Sequence, residues 1–404
     1  MAKVAVIGAG AWGTALAAHA SRLEHVVNVW AREPQVVEAI NERQENAFYL
    51  PGVRLSPDVV ASTNLDAVLE GAQLVIFVTP AQHLRETARA AAPAISRRAI
   101  VVVASTGIEE GRLALMGDVA RDTLAKVGPE RLAFLSGPTF AREVASGLPT
   151  DVVAASVGMK AARRVQAWLH SPTFRVYSSD DPVGVEVGGA MKNVIAVAAG
   201  ACDGLSLGNN ARAALVTRGL AEMTRLGVAL GANPLTFLGL AGVGDLVLTC
   251  TGDQSRNRTL GMKVAAGFDA ESWLKTQRTV AEGYPTAVAA RDLARKLGVE
   301  MPITEQVYNV LHRKHTILDA LKRLLEREFG EELRGIRRGA GASKGKRATA
   351  SPRKVAAAGR SAASKAARTS AGDRRKAGAK PAAKAKATAP ARDGGKKKSR
   401  RGGR

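Results

Sequence analysis

Residues 3–14 read KVAVIGAGAWGT, and they decide how the rest of the chain is read. The run from Lys3 to Ile7 is short and rich in β-branched residues, a strand signal. GAGAWG, from Gly8 to Gly13, then fits G-x-G-x-x-G, and an alanine-rich helical pattern begins at Thr14. Glycines alone mark ordinary turns; a strand before them and a helix after them make a nucleotide loop. In that setting Gly8 permits the tight turn, Gly10 lets backbone approach a pyrophosphate, and Gly13 lets the helix pack closely on the strand. The helix N-terminus adds oriented N–H groups and positive potential for phosphate. The stretch therefore predicts a dinucleotide site.

Outward from it, apolar runs recur at residues 3–8, 26–31, 73–79, 99–105, 131–137 and 151–157. They are nearly continuous, as strands covered on both faces should be. Alanine-rich amphipathic segments at 14–23 and 111–126 lie between several of them. This rhythm predicts an α/β fold, a Rossmann-type doubly wound and mainly parallel sheet. From about residue 185 to 328 the pattern turns helical, which predicts an all-helical second domain. The expected organisation is a dinucleotide-binding domain over 1–184, a substrate and catalytic domain over 185–330, and a disordered tail over 331–404.

Charge sharpens that division. The 404 residues carry a formal net charge of +23. Residues 334–404 hold 24 Lys/Arg against 2 acids, while the preceding 333 residues hold 35 against 34. The basic charge thus says nothing about the body. The tail has no aromatic residue and too little apolar area to offset ordering entropy. Cys202 and Cys250 form neither a metal spacing nor a disulfide framework, so a reducing, cytoplasmic setting and no metal site are expected. The apolar N-terminus has glycine turn chemistry at its centre, unlike a signal peptide. The run Val194–Ala201 is far shorter than the roughly 20 residues that span a bilayer, so no transmembrane segment is expected.

After the second strand-like run the chain reads Trp30-Ala31-Arg32-Glu33. An acid there would hold the adenosine ribose 2′-hydroxyl, whereas an arginine accepts a 2′-phosphate. Arg32 favours NADP over NAD; the alternative leaves Arg32 solvated and gives the ribose to Glu33. Further on, EVGGAMKNVIAVAAGACDG (186–204) sets one cation, Lys192, in a greasy, glycine-rich helix beside Asn193. Reduction of a carbonyl needs a proton donor near oxygen while hydride reaches carbon, and desolvation tunes a lysine toward that task. The alternative is a lysine snorkelling to the surface. AGVGDLVLTCTGDQSRNR (241–258) gathers Asp245, Thr249, Ser255, Arg256, Asn257 and Arg258. Arginine beside Ser and Asn suits a phosphate through directional charged hydrogen bonds; a solvated loop is the competing reading.

GAGAWGTALA, LSGPTFAREVASGLPT, FRVYSSDDPVGVEVGGAMKNVIAVAAGACDG, NARAALVTRGLAEMTRLG, AGVGDLVLTCTGDQSRNR, VAEGYPTA and GVEMPITEQVY span about residues 1–325 in order. With these phrases the chain resembles bacterial-type NAD(P)-dependent glycerol-3-phosphate dehydrogenases. The resemblance implies reversible reduction of dihydroxyacetone phosphate to sn-glycerol 3-phosphate for glycerophospholipid synthesis, in a homodimer. Position by position, it implies Lys192 as catalytic acid/base and Asp245 as its partner. It implies substrate contacts at Gly137, Thr139, Ser255, Arg256 and Asn257. Cofactor contacts fall at Trp12, Arg32, Ala141, Arg256, Val280 and Glu282, beside the loop glycines. Ala11 stands where the family often has Ser. Thr106 of VVVASTGIEEG stands where the family commonly has a lysine touching cofactor and substrate, so this chain lacks that charge.

The tail resembles the arms of linker histones in composition alone, and is expected to bind DNA or another polyanion by counterion release. Two alternatives stand beside the dehydrogenase. One is a related two-domain reductase of a ketoacid or hydroxyacid, which the SRN and SGPTF phrases disfavour. The other is a polyanion-binding protein on an impaired dehydrogenase body, which Thr106 alone favours.

Overall fold

The computed structural model describes residues 1–326, and the basic tail expected to be disordered lies outside the described residues. Ten strands occur in order: β1 (Lys3–Ile7), β2 (Val26–Trp30), β3 (Val59–Ser62), β4 (Leu74–Phe77), β5 (Ile100–Val103), β6 (Ile108–Glu109), β7 (Ala114–Leu115), β8 (Leu132–Ser136), β9 (Thr150–Ala155) and β10 (Phe174–Ser179). Eight of them form one sheet in the order β10-β9-β8-β5-β4-β1-β2-β3, and β6 and β7 form a small hairpin.

Both faces of the sheet are buried, and the side-chain period of two sorts the apolar runs between them. Val4, Val6, Leu74 and Ile76 join one core, while Ala5, Ile7, Val75 and Phe77 join the other. This sandwiching is why β1, β4 and β5 are apolar throughout. From β3 to β8 the pairings are parallel, as expected, but β8 meets β9 antiparallel, and β9 and β10 run parallel to each other. The Rossmann-type, mainly parallel sheet matches the expectation, with that reversal at one end. Segment 111–126 departs from it: β7 takes residues Ala114 and Leu115, and only Met116–Thr123 is helical.

The helical half is organised around Pro182–Gly204, 23 residues long. Asp181 caps it by accepting from the Gly184 N–H at 3.0 Å, and Pro182 fills a first-turn position where a missing N–H costs nothing. Gly208–Ala229, Asp245–Thr251, Arg256–Ala265, Gly283–Leu297 and Pro302–Arg313 pack around it. Among the described residues it is the one helix long and apolar enough to cross a membrane, but 78% of its apolar window is buried within the protein. Its hydrophobicity is that of a core helix.

The glycines of this helix serve packing more than ligand access. A Cβ at Gly188 would lie 2.1 Å from the Ala241 carbonyl oxygen, and one at Gly200 would lie 1.9 Å from that of Arg258. At both positions neighbouring backbone occupies the space a side chain would take, while a Cβ on Gly189 would meet the Ser136 and Thr106 side chains.

Candidate active site

The glycine loop leaves β1 at the strand-order reversal between β4 and β2, where ligands of such sheets bind. Gly8 sits at φ +120°, and a Cβ on Gly13 would fall 1.9 Å from the Gly8 carbonyl oxygen. Neither position accepts a side chain. Helix Ala11–Arg22 then starts with no side-chain cap at Gly10, so its first N–H groups stay available to an anion. Asn46 braces the loop from below, donating to Ala9 O at 2.7 Å and Thr14 Oγ1 at 2.8 Å. Ala11, Trp12, Tyr49 and Ala141 pack against the core beside it. At the end of β2, Arg32 pairs with Glu33 at 2.9 Å, and Tyr49 Oη donates to Glu33 at 3.4 Å.

Lys192 lies midway along the core helix with its side chain 13% exposed, and Nζ stands 2.5 Å from Asp245 Oδ2. The lysine therefore does not snorkel. Asp245 is buried as the first residue of its helix. Burial pushes its carboxyl above the ordinary value, while the Lys192 ammonium, Thr249 and the Gly137 N–H pull it back. Thr249 Oγ1 lies 2.6 Å from the Asp245 carbonyl oxygen and 3.3 Å from Oδ1; Ser136 Oγ donates to Oδ2 at 3.4 Å. Thr249 thus positions the carboxylate.

Asn193 and Asn257 are joined side chain to side chain at 2.8 Å, and the Gly283 N–H donates to Asn257 Oδ1 at 2.8 Å. This relay clamps the SRN segment to the lysine helix. Ser255 caps helix Arg256–Ala265 by accepting from the Arg258 N–H. Arg258 turns away to Asp203 and Asp253. Arg256, between them, faces the cleft without a hydrogen-bond or ion-pair partner among the described residues. Protein crowding lowers its guanidinium pKa, and Glu282 pulls the other way. Thr139 Oγ1 donates to the carbonyl of Gly137, whose φ of +143° turns the SGPTF loop.

The remaining wall joins the two halves. Glu282 Oε1 accepts from the Ala81 N–H at 3.0 Å, whereas Glu282 Oε2, Thr79 Oγ1 and Thr286 Oγ1 are buried without partners. Burial raises the Glu282 carboxyl to about 7. A Cβ on Gly107 would sit 3.4 Å from Thr286 Oγ1 and 3.6 Å from Glu282 Oε2, which places the 106–107 turn on this wall. Thr106 also touches the lysine helix, since a Cβ on Gly189 would meet its Cγ2 at 3.0 Å. Buried polar groups normally find partners. Three orphans on one cleft wall, an uncapped helix terminus and a glycine cradle fit a dinucleotide, with Val280 exposed nearby on the loop before Glu282.

The structure joins Lys192 to Asp245, Asn193 to Asn257, and Asn257 to the Gly283 N–H. Trp12 packs beside the glycine loop and Arg32 pairs with Glu33 after β2, while Lys192 and Asp245 pair in the helical half. Sequence reading missed Ser136, Thr79, Thr286 and Asn46, single polar residues whose only signal is a buried environment. Among the described residues no cluster of three His, Cys, Asp or Glu is placed to hold a metal.

A Rossmann-type sheet followed by a helical half with a buried lysine–aspartate pair defines a two-part NAD(P)-dependent oxidoreductase. The model for the NAD-dependent glycerol-3-phosphate dehydrogenase N-terminus matches residues 3–162, and that for the C-terminus matches residues 181–322. The chain belongs to the NAD-dependent glycerol-3-phosphate dehydrogenase family. It is 49% identical to glycerol-3-phosphate dehydrogenase (NAD(P)+) of Trichlorobacter lovleyi, over 82% of this chain and 99% of that one. The corresponding protein of Citrifermentans bemidjiense is 48% identical, over 82% and 98%. The crystal structure of glycerol-3-phosphate dehydrogenase from Coxiella burnetii superposes with TM-score 0.77 at 39% identity, over 81% of this chain and 99% of that one.

Proposed function

We propose that the chain interconverts dihydroxyacetone phosphate and sn-glycerol 3-phosphate, with the Lys192–Asp245 pair at the reacting oxygen. The observation that carries this reading is a buried 2.5 Å ammonium–carboxylate pair tied, through Asn193 and Asn257, to the unpaired guanidinium of Arg256. NAD(P)H supplies the hydride when bound. Lys192 donates a proton to the substrate oxygen in reduction and takes it back in oxidation. Asp245 aims the ammonium, and Thr249 and Ser136 fix Asp245. Arg256, with donors unspent, takes the phosphate, with Ser255, Asn257, Gly137 and Thr139 lining the same end. The glycine loop, Trp12, Ala141, Val280 and Glu282 hold the cofactor.

The finer assignments follow from the same chemistry. Arg32, with its side chain 75% exposed at the end of β2, favours NADP over NAD. The sheet over residues 1–184 binds the cofactor and the helices from 185 onward supply the acid/base group. The setting is cytoplasmic, the enzyme a homodimer, and the product an entry to glycerophospholipids. The basic tail binds polyanions independently: removing residues 334–404 should abolish salt-sensitive DNA retention and leave turnover intact, and DNA binding by the truncated chain would refute this. Oxidation of NADPH and NADH with dihydroxyacetone phosphate tests the central reading. Turnover with at least one cofactor is expected; none with either would overturn it, and turnover of ketopantoate instead would move the chain to the related reductases.

A further inference from the structure

The loop over residues 276–282 crosses from the helical half to the nucleotide half. Its far end is fixed twice, by the Ala81 N–H donating to Glu282 at 3.0 Å and the Gly283 N–H donating to Asn257 at 2.8 Å. Its middle carries Arg278 out over the ring of Phe48, 5.8 Å from the centroid. Phe48 follows Asn46, which is bonded beneath the glycine loop, and precedes Tyr49, whose hydroxyl reaches Glu33. Arg278 therefore stands beside the 46–49 segment, whose Tyr49 reaches the Glu33 that Arg32 also pairs with.

The charges at this corner do not balance. Glu33 is already engaged by Arg32 and Tyr49. Arg278 is exposed and, among the described residues, has the Phe48 ring as its contact and no carboxylate. Both guanidiniums act in the same sense on the nearby Tyr49 hydroxyl. A ribose with a free 2′-hydroxyl calls for an acceptor, and a second cation does nothing for it. A 2′-phosphate carries nearly two charges and is best held by two guanidiniums from different sides.

We propose that Arg278 reaches across the cleft and, with Arg32, clamps the 2′-phosphate of bound NADP, so that the helical half helps set cofactor choice. This rests on the dinucleotide site and the NADP preference argued above. The full-length protein, Arg278→Ala and Arg278→Lys are titrated with 2′,5′-ADP and with 5′-AMP, which differs only in lacking the 2′-phosphate, following tryptophan fluorescence and checking melting temperature. Arg278→Ala should weaken 2′,5′-ADP about tenfold, the scale of one charged hydrogen bond, and 5′-AMP less than about twofold; Arg278→Lys should retain most of the affinity. Equal loss for both ligands places Arg278 at the adenosine or its 5′-phosphate and overturns the clamp, as does no loss for either. If the unmodified protein binds 5′-AMP as tightly as 2′,5′-ADP, the NADP preference itself fails; that result is separable because it appears before any substitution.

Discussion

Lys192 gives one of its three N–H donors to Asp245 and keeps the others for the cleft, which is what a proton-transferring ammonium requires. Lys192→Ala should lower kcat by about 10²–10⁴, the usual worth of a positioned acid, while the NADPH dissociation constant stays within about twofold. Steady-state kinetics and a binding titration check both, and retained turnover would remove the lysine from the chemistry. Thr106 stands where the resemblance implies a lysine. Its methyl packs toward Gly189, one turn before Lys192, and brings no charge to a phosphorylated substrate. Thr106→Lys should lower the KM for dihydroxyacetone phosphate by about tenfold, near 1.5 kcal/mol; unchanged kcat and KM would mean that the missing charge is irrelevant here.

Within single elements, the strands and helices the chain announced most clearly are those buried on every side. β1, β4 and β5 read as strands because both faces of the sheet are covered. β3 and β10 escaped because they are edges: in β10 Phe174 and Val176 are buried while Arg175 and Tyr177 face out, so no continuous apolar run forms. The antiparallel turn into β9 was equally hidden, since a strand's composition does not encode its direction. Helix Pro302–Arg313 is held by a partner that no local pattern marks. Glu222, buried on helix Gly208–Ala229, accepts from the N–H groups of Ile303 and Thr304 at 2.6 and 3.1 Å and from Thr304 Oγ1 at 2.9 Å. Glu222→Ala strands three donors in the core and should cost about 2–3 kcal/mol, read as a lowered denaturation midpoint. A midpoint within experimental scatter of the unmodified protein would show that water replaces the carboxylate.

Across the whole molecule, three enclosed carboxyls bias stability with pH. Burial raises Glu186 to about 8 and Glu222 and Glu282 to about 7, all from 4.5. Glu186 is half-buried as a residue, but its carboxyl is enclosed and accepts from the Gly117 N–H at 2.5 Å. A carboxyl with a raised folded pKa binds its proton more tightly in the folded state. Its stabilising contribution is complete below about 4.5 and is lost as pH climbs through the folded value. These groups should therefore lower stability progressively between about pH 4.5 and 8. Glu186→Gln, a neutral mimic of the protonated acid, should flatten that slope in denaturant titrations at several pH values, and an unchanged slope would locate the titration elsewhere.

Local sequence determined the glycine loop, the sandwiched strands and the core helix, because each follows from short-range sterics or from a hydrophobic period; Lys192, Asp245 and Arg256 were singled out over their bland readings only by the resemblance to a family. Tertiary structure decided the rest. Asp245 is 53 positions from Lys192, and only the packing of two helices against one another brings them to 2.5 Å. The same holds for Arg278 over Phe48 and for the orphaned oxygens of Thr79, Glu282 and Thr286. Whether a polar side chain is buried, paired or left waiting depends on what folds against it, and no local pattern carries that information.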